Sequence, residues 1–320
     1  MKPPYEITNK ILNFISLISE RIGEIKSARL VKPPTELRKR NRIKTIQSSL
    51  GIEGNSMTIE QITDLINNKK VLAPQKDILE VKNAIEVYSR LNDFNVYSLD
   101  SLCHAHGVLM NGLIEKAGKL RHTSVGILKG NDIAHIAPPG NMVYALMNDL
   151  FEYLKNDDDL LLIKSCVFHY EFEFIHPFED GNGRMGRLWQ TMILRDYSPV
   201  FEYLPIETII KERQQDYYGV LGKSDSKGNS TGFVEFMLEI IYLALDELLR
   251  TQNITVTNKD RIQLFKDIIN EKSFTRQEYL RYNKEISSAT GSRDLKDAVS
   301  NGILEKSGDK RLTKYRYKKN

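Results

Sequence analysis

Apolar residues recur at three- and four-residue spacing through most of the chain, and the elements this predicts are mainly helices. Ile11, Ile15, Ile18, Ile22 and Ile25 share one amphipathic face, and Lys32-Pro33-Pro34 stops that helix. A second helix opens at Thr35, sets Ile43, Ile46 and Leu50 on one side, and ends near Glu53-Gly54-Asn55. Further helices are expected over 58–67, 76–91, 99–113, 143–155, 158–174, 182–195, 207–221 and 232–249. One stretch breaks the pattern. Residues 121–139 hold Ser124-Val125-Gly126-Ile127-Leu128 and Ile133-Ala134-His135-Ile136 around a Lys129-Gly130-Asn131-Asp132 turn, and Pro138-Pro139 closes them, which predicts a β-hairpin. Residues 251–258 are polar and read as a linker. Beyond them come helices over 260–271, from Thr275, and from Ser287 or Ser288 to Asn301, then short strands at 303–306 and 311–317.

Charge separates the two ends of the chain. From residue 259 onward there are 16 Lys+Arg against 9 Asp+Glu, while the remainder holds 30 against 33. Three helices followed by a two-stranded ribbon are the outline of a winged helix-turn-helix, and its basic balance suggests a task of its own. No bilayer-spanning run is read: the most apolar segment, 236–249, is broken by Glu239, Asp246 and Glu247. Met1-Lys2-Pro3-Pro4-Tyr5 does not read as a secretory leader, and Cys103 and Cys166 are too few for a disulfide framework. A cytoplasmic protein with reduced thiols and no membrane partner is expected.

The chemistry concentrates in His176-Pro177-Phe178-Glu179-Asp180-Gly181-Asn182-Gly183-Arg184-Met185-Gly186-Arg187. Pro177 disfavours helix at His176, so the chain turns there. Gly181 and Gly183 remove side chains where a phosphate has to approach the backbone. The N–H groups of the helix that follows attract anionic oxygens. Arg184 and Arg187, three apart, both reach phosphates at that helix start. Asp180 is a hard oxygen ligand suited to Mg²⁺ on phosphates. His176, of a type that titrates at about 6.5, can accept a hydroxyl proton.

The segment resembles the motif of the Fic family, HxFx(D/E)GNGRxxR, at every position. The resemblance implies a mainly α fold: a Fic-type helical bundle with a β-hairpin flap, here with a winged helix-turn-helix appended. It divides the chain into an N-terminal helical region (1–95), a catalytic core (96–250) and the C-terminal module (259–320). It also implies adenylylation, in which a protein Ser, Thr or Tyr hydroxyl attacks the α-phosphate of ATP and pyrophosphate leaves. His176 is then the general base and Asp180 the Mg²⁺ ligand. Gly181, Asn182, Gly183, Arg184 and Arg187 hold the phosphates, and Phe178 is the apolar anchor of the loop.

Two further segments fit that family layout. Ser49-Leu50-Gly51-Ile52-Glu53-Gly54 resembles the family's inhibitory motif (S/T)xxxE(G/N), with Ser49 and Glu53 on one side of a helical turn. Glu53 would occupy the donors of Arg187 that the γ-phosphate needs, so an autoinhibited enzyme is expected. The 121–139 hairpin corresponds to the flap, whose edge would hold a target segment by strand addition, with His135 a candidate contact. Tyr218, beside Tyr217, resembles a residue of the adenine pocket. His104, His106, His122 and His169 are read as structural or surface residues. For the C-terminal module the reading divides between DNA, through Lys284, Arg293 and Lys296 with a basic wing (Lys310, Arg311, Lys314, Arg316, Lys318, Lys319), and a packing or protein-interaction module with a solvated basic tail, since Asp294 and Asp297 dilute the charge. A homodimer, transfer or removal of another phosphate-containing group, and a DNA-binding regulator with a nucleotide-sensing core stay open.

Overall fold

A computed structural model of the chain describes residues 2–28, 30–31, 33–124, 126–129, 132–250, 258–269, 272–283, 286–309 and 313–318. It divides into two compact units, Met1–Val31 with Lys39–Arg250, and Lys32–Arg38 with Thr251–Asn320. Among the described residues no helix is long and apolar enough to cross a membrane.

The first unit is helical around two buried helices. α1 (Asn9–Ser27) starts where Thr8 Oγ1 accepts from Ile11 N at 3.2 Å, and buries Ile11, Ile18, Ile22 and Ile25 as its periodicity predicts. α2 (Thr35–Ile52) buries Ile43, Ile46 and Leu50 on one side. It also has a second buried face made of Asn41, Thr45, Ser48 and Ser49, which apolar spacing could not reveal. That polar face docks through hydrogen bonds: Asn41 Nδ2 to Tyr203 O at 2.9 Å, Ser48 with Thr208 at 3.1 Å, and Gln214 Nε2 to Ile52 O at 3.0 Å.

α3 (Ile59–Ile66) opens on a capping box between Thr58 and Gln61. α4 (Gln75–Ser89) and α5 (Leu99–Leu109) follow, α5 ending earlier than expected because Gly112 takes φ +71° in the turn beyond it. β1 (Gly126–Lys129) and β2 (Asp132–Ile136) pair antiparallel, Gly126 opposite Ile136 and Lys129 opposite Asp132, with an irregularity between Ile127 and Leu128. Gly130 and Asn131 of the expected turn lie outside the described residues. α6 (Val143–Asn156) leads to α7 (Leu161–Ile175) and α8 (Asn182–Tyr197), which pack on each other and are buried on nearly every side.

The helix expected over 207–221 is two helices: α9 (Ile206–Glu212) ends at Arg213 and α10 (Gln214–Lys227) continues to Gly228, whose φ of +59° closes it. α11 (Thr231–Arg250) lies along α1 and α7.

The second unit contains α12 (Asn258–Ile269), α13 (Arg276–Tyr282), α14 (Ser288–Ser300), and the antiparallel strands β3 (Leu304–Ser307) and β4 (Lys314–Tyr317). Ile262, Phe265, Phe274, Tyr279, Leu295, Ala298, Leu304 and Tyr317 form its core. Residues 251–257 of the expected linker, and Lys284, Lys310, Arg311 and Lys319 of the expected basic surface, lie outside the described residues.

The base of the flap has no room for a side chain at Gly140, where a Cβ would fall 2.6 Å from Thr123 N and closer still to the backbone of His122. Gly140→Ala is therefore expected to destabilise the protein by about 1–3 kcal/mol, read as a lowered urea midpoint with unchanged slope.

Candidate active site

The motif loop joins the end of α7 to the start of α8. His176 caps α7 in the left-handed region, with φ 50° and ψ 61°, an uncommon conformation for a residue with a side chain. Its N–H still reaches Phe172 O at 2.9 Å. Gly181, at φ +83°, is the N-cap of α8. Asn182 closes the loop on itself: Oδ1 accepts from Phe178 N at 2.9 Å and Nδ2 donates to Phe178 O at 3.0 Å. Its buried amide is thus used to fix the loop.

Phe178 is fully buried and stacks on His106, ring centroids 3.7 Å apart and planes 4° from parallel. His106 Nδ1 accepts from Gly118 N at 2.8 Å, which leaves Nε2 to carry the proton and donate to Asp180 O at 2.9 Å. Burial pushes its pKa down to about 4, so the ring is neutral near pH 7. His106 is a structural residue, as expected, but one on which the motif loop rests. Its partner lies 74 residues away, beyond the reach of spacing arguments.

Arg121 is a second support that sequence reasoning did not single out. It is 1 % exposed and donates to four backbone carbonyls: His176 at 2.6 Å, Thr123 at 2.6 Å, Pro138 at 2.8 Å and Ile175 at 2.9 Å. A cation at the carbonyl end of α7 is favourable. One side chain thus ties both ends of the flap to the backbone of His176.

The start of a helix attracts anions, and at α8 a carboxylate stands there. Glu53, one residue past α2, places Oε1 2.8 Å from Arg187 Nη2. A methyl group on Gly183 would fall 2.5 Å from Glu53 Oε1, so the missing side chain is what admits the carboxylate. Ser49 completes the grip, its Oγ accepting from Arg187 Nε at 3.2 Å and its carbonyl from Nη2 at 2.9 Å. The Arg187 side chain is 1 % exposed. Burial alone would weaken its charge, but the Glu53 carboxylate, with Tyr217 and Glu173, outweighs that and raises its pKa.

Arg184 is held between two acids, Nη1 at 3.2 Å from Glu80 and Nη2 at 3.3 Å from Asp180. Its buried Nε takes no hydrogen-bond partner among the described residues. Glu80, another residue the motif does not contain, also accepts from Asn55 at 2.8 Å, just beyond the Glu53 turn. Asp180 accepts from Gly181 N at 2.6 Å, and half of its side chain faces solvent. Among the described residues no three His, Cys, Asp or Glu side chains gather as metal ligands. A lone exposed carboxylate beside an anion seat fits Mg²⁺, which keeps waters and takes most of its other ligands from phosphates.

Tyr217 is buried with its hydroxyl 3.1 Å from His169 Nε2, while Tyr218 packs on Tyr217 and keeps 39 % exposure. His169 Nδ1 donates to Gln190 Oε1 at 2.7 Å, and Nε2 stands 3.7 Å from Glu173, an ion-pair distance rather than a hydrogen bond. His135 lies on β2, whose side chains are outside the description.

Residues 96–194 match the sequence model of the Fic/DOC family. A Fic family protein from Desulfovibrio desulfuricans G20, known from a crystal structure, is 39% identical, covers 100% of this chain and 99% of its own, and superposes with a TM-score of 0.76. Protein adenylyltransferase Fic of Nematostella vectensis is 27% identical over 239 residues, 71% of this chain and 53% of its own length. Protein adenylyltransferase fic-1 of Caenorhabditis elegans is 28% identical over 192 residues, 55% of this chain and 35% of its own. The chain thus spans about a third to a half of the curated relatives it matches.

The neutral ring of His106 has a pH signature. Its folded pKa of about 4 lies below the unfolded value of 6.5, so the unfolded chain binds the extra proton between them. That contribution is complete above pH 6.5 and falls as pH approaches 4, by about 3 kcal/mol. Urea unfolding of wild type and His106→Gln at pH 7 and pH 4.5 should show a smaller pH-dependent loss in the variant.

Proposed function

Because the chain belongs to the Fic family, we propose that it is an ATP-dependent protein adenylyltransferase held inhibited by its own Glu53. One observation carries this reading: a carboxylate sits over Gly183 on buried Arg187, at a helix start built for phosphate oxygens. The curated relatives named protein adenylyltransferase support the reaction class.

When Glu53 withdraws, Arg187 and the N–H groups at the start of α8 become free for the outer phosphates of ATP. Arg184, with its unused Nε, is placed to steady the same chain. Mg²⁺ at Asp180, when bound, supplies positive charge that offsets the negative charge of the phosphates. The target hydroxyl, presented along the flap, gives its proton to His176 as its oxygen bonds to the α-phosphorus. The bond from that phosphorus to the β-phosphate oxygen breaks, and pyrophosphate leaves. Nδ1 of His176 is buried, which leaves Nε2 as the nitrogen that meets the hydroxyl. Tyr218, 39 % exposed, supplies the aromatic ring against which adenine would pack. With Glu53 in place, ATP is refused or its α-phosphorus is misaligned, and in-line attack tolerates little misalignment.

Incubation of the purified protein with labelled ATP and Mg²⁺, followed by intact-mass analysis, tests the reading. Glu53→Gly should raise self-labelling at least ten-fold, as a mass gain of one AMP, and Glu53→Gly with His176→Ala should show none. Labelling of Glu53→Gly no greater than that of wild type would remove the inhibitory role. Labelling that survives the loss of His176 would remove its role as base.

A further inference from the structure

The acidic residues of α14 lie away from its most exposed face. Asp294 is 2 % exposed, takes Arg261 Nε at 2.7 Å and Nη2 at 2.9 Å, and accepts from the Tyr279 hydroxyl at 3.1 Å. Asp297 accepts from Asn258 Nδ2 at 3.0 Å. Asp294 is therefore neutralised by Arg261 of α12, and half-buried Asp297 is turned toward Asn258 at the start of α12. What α14 exposes is Ala289, Arg293, Lys296 and Ser300, one stripe at helical spacing, with Ser287 and Ser288 at its start. Every member is small or basic. The opposite side holds the helix tightly: a Cβ on Gly291 would fall 2.6 Å from Leu280 on α13. Arg276, at the start of α13, is exposed and donates to Ser292 of α14 at 2.7 Å, which puts a third cation beside the stripe. On the hairpin, Arg316 lies opposite Glu305, which offsets it, and exposed Lys314 lies opposite Ser307 with the Glu278 carboxylate near it.

We propose that this face of α14 enters the major groove of duplex DNA, with Arg293 and Lys296 within reach of base edges or phosphates and Arg276 on the flanking backbone. A protein partner would need an aromatic or large apolar anchor, and the stripe has none. A-form RNA is disfavoured because its major groove is too narrow and deep for a helix, whereas that of B-form DNA admits one. The proposal does not depend on the adenylyltransferase reading, since no nucleotide enters its test.

Fluorescence anisotropy of the full chain with a labelled mixed-sequence 20-base-pair DNA duplex, between about 50 and 200 mM NaCl, decides it. Affinity should fall linearly on logarithmic axes, and Arg293→Gln and Lys296→Gln should each flatten the slope by about 0.9. The double variant should bind at least ten-fold more weakly at 100 mM salt, whereas Lys223→Gln, a charge loss on α10, should bind as wild type. All these positions are exposed, so the variants should keep the wild-type circular dichroism and melting. Binding without salt dependence, binding unaffected in the double variant, or equal affinity for an RNA duplex of the same length would each overturn the proposal.

Discussion

The buried guanidinium of Arg187 at the start of α8 is the constraint on which the site depends. A cation with 1 % of its side chain in water needs an anion beside it, and in this structure Glu53 is that anion. Glycine at 183 makes the space, and the N–H groups of the helix start add to the attraction. The same features that suit a carboxylate suit a phosphate. Two anions cannot occupy one seat, so under the proposed function inhibition and substrate binding are a single competition. Glu53 keeps a third of its side chain in solvent, which weakens its hold relative to a fully buried pair and lets a multiply charged phosphate chain compete.

The proposed reaction also requires that His176, its base, be held in place. The left-handed backbone at His176, the Asn182 bridge across the loop, the stack of Phe178 on His106 and the four carbonyls gathered by Arg121 leave the loop little freedom. These contacts use backbone groups and neutral rings rather than exposed charges. Salt therefore screens them little. Arg121 adds a geometric link, since the residue that fixes the backbone of His176 also fixes both ends of the flap.

Much of this was legible in the sequence. The isoleucine spacing of α1, the hairpin at the flap and the ordered motif from His176 to Arg187 each carry a local pattern, and local patterns survive translation into coordinates. Ser49 and Glu53 are i and i+4, so their joint approach to Arg187 follows from helix geometry once a partner is assumed. The rest depends on contacts between distant segments. His106, Arg121 and Glu80 look like ordinary polar residues until the fold brings them to the motif. The polar face of α2 was missed because apolar periodicity marks only the side that carries Ile43, Ile46 and Leu50. The break at Arg213 was missed because helix-forming residues run straight through it. The inward turn of Asp294 needed the position of Arg261, 33 residues earlier.

Direct titration of ATP with Mg²⁺ into wild type and Glu53→Gly, followed by calorimetry at fixed ionic strength, tests the shared anion seat without requiring a target protein. Vacating the seat should tighten ATP by at least ten-fold and leave adenosine, which carries no phosphate, unchanged. Equal ATP affinity in the two proteins would mean that the carboxylate and the phosphates do not contend for Arg187.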